Sequence, residues 1–146
     1  MKLQKITFLL VGLLAITFTT QAQSKKYVGS WQLTSAPTTN KCALDQEIIL
    51  RKDGTATYHY GKNAEGCKAQ TQEFKTWTVE QREFKMRERK NGKRVEKKVK
   101  KTVLSIGRND SIMFIVHKKK GKTMKVTADM VSGDTTKEAM ITFKKQ

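Results

Sequence analysis

The stretch "MRERKNGKRVEKKVKK", Met86 to Lys101, decides the fold, because it reads either as a basic helix or as one hairpin of a larger sheet. With Arg82 and Lys85 just upstream it carries eleven basic residues against Glu83, Glu88 and Glu96. Asn91-Gly92 at its centre is the strongest short-range hairpin signal and sets a two-residue type I′ loop. That loop pairs Phe84 with Val99, Met86 with Lys97 and Glu88 with Val95 on one face. The other face sets Glu83 against Lys100 and Arg87 against Glu96 as opposite charges, and Lys85 against Lys98 and Arg89 against Arg94 as like charges. The helical reading keeps Val95, Val99 and Val103 on one stripe, but it must run through Asn91-Gly92 and place β-branched residues where their propensity is poor. The hairpin is the better reading. It makes the run a basic outer wall with one mostly apolar face.

Working outward, the turn signals at Asp53-Gly54, Asn91-Gly92, Arg108-Asn109-Asp110, Lys120-Gly121 and Ser132-Gly133-Asp134 separate short segments rich in Val, Ile, Thr, Tyr, Phe and Trp. Such spacing, about 8 to 12 residues, is that of an all-β meander. The expected strands are Gly29 to Ser35, Gln46 to Arg51, Thr55 to Tyr60, Glu73 to Val79, Glu83 to Arg89, Arg94 to Ile106, Ser111 to Lys119, Thr123 to Met130 and Glu138 to Lys144. A three-residue loop with Gly54 in a bulge sets Leu50 opposite Ala56 and Ile48 opposite Tyr58, whereas a two-residue loop mixes the faces. The inner face then collects Ile48, Leu50, Ala56, Tyr58, Phe84, Met86, Val95 and Val99. Around Gly107 to Asp110 two registers are open, one matching Val103 and one matching Leu104 with Phe114. A sheet of this size with one apolar face must roll up or pack on another, and closure removes its edges. The expected fold is a small antiparallel up-and-down β-barrel of about eight strands.

The first residues place Lys2 and Lys5 ahead of an apolar run from Ile6 to Phe18, then polar residues ending in Thr20-Gln21-Ala22, the layout of a secretory signal peptide. The run is short for a bilayer span of about 20 residues. The expectation is a leader over residues 1–22 and one domain over residues 23–146, exported to the periplasm or beyond the cell. In an exported chain the even cysteine count, Cys42 and Cys67, points to a disulfide worth roughly 3.5 kcal/mol by loop entropy. A metal site would need two further ligands, for which only His59 and His117 are available, so no metal and no cofactor is expected. The formal charge is +17, or +15 once Lys2 and Lys5 are removed. Such a field draws polyanions and anionic surfaces. For an exported chain these are envelope polymers and lipids rather than nucleic acid.

The segment "KKYVGSWQLTS" contains Gly29-Ser30-Trp31, and it is followed by Cys42, Asp53-Gly54-Thr55, Cys67 and "TWTV" from Thr76 to Val79. In that order and spacing, over Tyr27 to Lys144, the chain resembles the secreted bacterial lipocalin-like domains and their Gly-x-Trp signature. The resemblance implies that Trp31 packs at the closed end of a barrel beside Gly29, with Lys144 or Lys145 covering its ring. It also implies a non-enzymatic carrier that holds a small hydrophobic or amphipathic ligand, anionic where the surrounding charge selects it. Tyr58, Trp77, Phe84, Met86 and Phe114 would line the ligand, with Lys97 as an inward cation. The bland reading makes the aromatic and methionine side chains plain core and lets Lys97 snorkel to solvent. The second function class is a filled barrel that displays a basic surface to envelope polyanions or an acidic protein, through Arg87, Lys98, Lys100, Lys118 and Lys120. His59 and His117 lack a partner at useful spacing, so no catalysis is expected, and the protein is expected to be a monomer.

Overall fold

Asn91 and Gly92 both stand at positive φ, 52° and 76°, and the ladder around them runs from Lys90↔Lys93 back through Glu88↔Val95, Met86↔Lys97 and Phe84↔Val99. This is the register that a two-residue type I′ loop dictates. It is seen in a computed structural model that describes residues 25–132 and 135–146. At Asp53-Gly54 the Arg51 N–H bonds the Thr55 carbonyl at 3.0 Å and Gly54 has φ 87°, so three residues turn the chain and Leu50 faces Ala56. At Gly107 to Asp110 the register is Leu104↔Phe114. That choice puts both buried side chains on the core face. The leader over residues 1–22 and the turn residues Gly133 and Asp134 lie outside the described residues.

The strands are β1 (Gly29–Ser35), β2 (Gln46–Leu50), β3 (Ala56–Tyr60), β4 (Gln70–Phe74), β5 (Trp77–Lys90), β6 (Lys93–Ile106), β7 (Ile112–Lys120), β8 (Thr123–Ser132) and β9 (Thr135–Lys145). One short helix, α1 (Lys41–Leu44), follows β1, and the Asn40 side chain caps it by accepting the Cys42 N–H at 2.9 Å. A disulfide joins Cys42 to Cys67, Cα atoms 5.6 Å apart, and ties α1 to the loop after β3. All nine strands form one antiparallel sheet in the order β4-β3-β2-β1-β9-β8-β7-β6-β5. Its concave face carries the core: Trp31 and Leu33, Ile48 and Leu50, Leu104 and Ile106, Met124 and Val126, Ile141 and Phe143. Phe114 meets Phe143 edge to face at 5.7 Å.

The expected closed barrel is corrected to a curled, open sheet: no ladder joins β4 to β5. Direction explains it. Nine strands alternating up and down leave the two edge strands pointing the same way, and a parallel pair needs a crossover of a dozen or more residues. Only Lys75 and Thr76 connect β4 to β5, so β5 carries on from the end of β4 instead of turning back beside it. The expected single strand Glu73 to Val79 is therefore split, its halves serving opposite edges of the sheet. Gly107 seals the join: its N–H donates to the Thr76 carbonyl at 2.8 Å, and a Cβ there would stand 2.8 Å from the Phe74 ring. Without closure the lipocalin-like architecture is not present, and with it goes the enclosed lumen. No helix among the described residues is long and apolar enough to cross a membrane.

Candidate functional site

β6 pairs with β7 only from Thr102 to Ile106. From Arg82 to Lys90 and from Lys93 to Lys101, each strand has the other as its sole ladder partner among the described residues, through nine cross-strand pairs. An isolated two-stranded hairpin is marginal in water, so its root must be held. Arg82 holds it. Its guanidinium crosses the outer face of β6 and grips Asp110 at the β6–β7 corner with two bonds, 2.7 and 2.9 Å, while Ser105 donates to the same carboxylate at 2.6 Å. These bonds hold the Asp110 carboxyl down at about 2 and push the Arg82 guanidinium above its ordinary range. The clamp was missed in the sequence, where Asp110 read only as a turn residue.

The faces of the ribbon differ from expectation. Trp77 and Val79 are buried against the core with their partners Ile106 and Leu104, and the β5–β6 register runs on without a shift, so the side chains facing the core side are the odd-numbered ones on β5 and the even-numbered ones on β6. Phe84, Met86, Val95, Lys97 and Val99 therefore lie on the opposite, outer face, and none of them points into the concavity. The cause is the Lys75-Thr76 join, which turns the inner parity from Phe74 to Trp77. Met86 and Val95 remain 39% and 44% exposed, two of the three large apolar side chains exposed among the described residues. The ladder puts Arg82, Lys90, Lys93, Lys97 and Lys101 on the same face as this apolar strip, with Glu88 as its one acid. Lys101 Nζ stands 5.8 Å from the Phe84 ring centre.

Charge on the ribbon is poorly neutralised. Arg87 reaches Glu96 at 3.7 Å, and Lys98 reaches diagonally to Glu83 at 3.2 Å, leaving Lys100 opposite Glu83 without a salt bridge. Arg89↔Arg94 and Lys90↔Lys93 are like pairs that the loop holds face to face, and among the described residues no carboxylate lies within 4 Å of those four side chains. Lys118 and Lys120 are exposed on β7, which continues beyond Val116 toward the same end of the sheet as the ribbon.

The other sequence candidates fall elsewhere. Trp77 is buried and donates its indole N–H to the Arg51 carbonyl at 2.9 Å, a packing role. Tyr58 and Phe114 line a hollow of about 630 Å³ on the concave side, with Leu33, Gln46 and Gln72. The Tyr58 hydroxyl is pushed up to about 12, chiefly by burial, and donates to Gln46 at 2.9 Å. Of the six residues expected to surround a ligand, only these two reach the hollow, so a ligand held within a barrel is corrected along with the barrel itself. Trp31 is fully buried and bonds the Tyr27 carbonyl at 2.7 Å. Lys145, not Lys144, covers its ring at 5.6 Å, and Lys119 stands at 5.8 Å. Gly29, at φ 137°, leaves room for it, since a Cβ there would meet the Lys145 side chain. His59 and His117 each meet a threonine hydroxyl, on Thr71 and Thr127.

No protein-family model, curated protein or solved structure matches the chain.

Proposed function

We propose that this is an exported, non-enzymatic binding protein that attaches to anionic surfaces through the β5–β6 ribbon. The observation that carries the reading is the ribbon's tip, where Arg89, Lys90, Lys93 and Arg94 are held in like-charged pairs with no carboxylate within 4 Å among the described residues. Opposed cations cost ladder stability unless an anion lies across them. A bound polyanion supplies that relief, and its strength falls as salt screens the field. The leader read over residues 1–22 supports delivery to an envelope rich in such anions.

The test is titration of the oxidised protein, purified from the periplasm of an exporting host, with heparin as a generic polyanion. Affinity is expected to fall steeply with salt, and the double variant Lys93→Glu, Arg94→Glu at the tip to weaken it roughly tenfold to a hundredfold at low salt. Affinity that survives this double reversal unchanged at low salt rules the ribbon out.

A further inference from the structure

The ribbon's two faces are not equivalent, and the difference identifies the kind of anion. The core-side face, carrying Glu83, Lys85, Arg87 and Arg89 opposite Lys100, Lys98, Glu96 and Arg94, has no apolar side chain. The outer face has Phe84, Met86, Val95 and Val99 in its middle, with Glu88 as its one acid, flanked by Lys101 toward the root, where Arg82 is taken up by Asp110, by Lys90 and Lys93 at the tip, and with Lys97 within the strip. Among the described residues no third strand lies beside this part of the ribbon, and Met86 and Val95 are open to solvent. A soluble polyanion would engage cations on either face and has no use for an apolar strip. A bilayer with anionic headgroups matches this face in both respects: phosphates meet the flanking cations, and the apolar strip enters the boundary between headgroup and acyl chain.

We infer that the outer face of the ribbon docks on an anionic phospholipid surface, with Met86 and Val95 entering it and Lys90, Lys93 and Lys97 contacting lipid phosphates. This rests on the anion-binding reading above and commits it to one partner. Each cation at such a surface contributes about fivefold to partitioning, and the apolar pair about tenfold together.

The experiment compares two probes on the oxidised, periplasm-purified protein: flotation with phosphatidylglycerol–phosphatidylcholine vesicles, and heparin titration. Binding to the mixed vesicles but not to pure phosphatidylcholine is expected. Met86→Ser with Val95→Thr should lower vesicle partitioning roughly tenfold and leave heparin affinity within about twofold. In a second variant, Val95→Trp, the added indole's emission should shift to shorter wavelength on the mixed vesicles and not on heparin. Heparin binding without vesicle binding overturns the lipid assignment and leaves the anion-binding reading standing. So does an apolar double variant that weakens both probes alike, or neither. Failure to bind either probe overturns both.

Discussion

Within β6, Val95, Val99 and Val103 stand on one face at intervals of four residues, yet the first is 44% exposed, the second is half-buried and the third is fully buried. Residue type, strand and face are the same. What differs is cover: Val103 has β7 beside it and the Arg82 side chain reaching across, whereas Val95 has only β5. An alternating pattern therefore specifies a face, and only a neighbouring element makes that face a core. The body of this protein spends its apolar residues on burial. The ribbon presents the same kinds of residue outward.

The sharpest way to break the comparison is Val103→Ala, which should cost about 2 kcal/mol in urea unfolding, as expected for methyl groups removed from a packed site. A loss near zero would mean that Val103 is no better covered than Val95. The clamp at the ribbon's root comes next. Asp110 is held low by Arg82 and Ser105, so its contribution is present above the ordinary carboxylate value near 4 and is lost as pH falls through about 2. Asp110→Asn should lower the urea midpoint at pH 7, and the gap from the parent should close as the pH falls toward 2. A gap independent of pH would mean that Asp110 acts through something other than its charge. The smallest effect belongs to Val95→Ala, expected to leave stability within about 0.5 kcal/mol; a cost like that of Val103→Ala would show that the ribbon is covered after all.

The sequence made some of these levels readable and hid others for physical reasons. Registers at Asn91-Gly92 and Asp53-Gly54 were legible because turn chemistry is local, and two or three residues fix which partners face each other. The disulfide followed from the cysteine count. The closure of the sheet was not legible, because it depends on the direction in which two edge strands run, and that turned on a two-residue join, Lys75-Thr76, inside what reads as one strand. The same join shifts the parity between Phe74 and Trp77, so Phe84 and Met86 were placed on the core side and belong outside. For the candidate site, the cations of the hairpin and their pairing were visible in the sequence. Their setting, a ribbon free of a third strand and clamped by Arg82, depends on contacts between residues 28 positions apart.

The ribbon's length has one more consequence. From Arg82 to Lys90 it extends about 27 Å at about 3.4 Å per residue. At physiological ionic strength the Debye length is about 8 Å, so the tip stands more than three screening lengths from its root. The cations at Arg89, Lys90, Lys93 and Arg94 are thus electrically insulated from the body. Whatever charge surrounds Trp31 at Lys119 and Lys145, the potential met at the tip is set by the outer half of the ribbon itself.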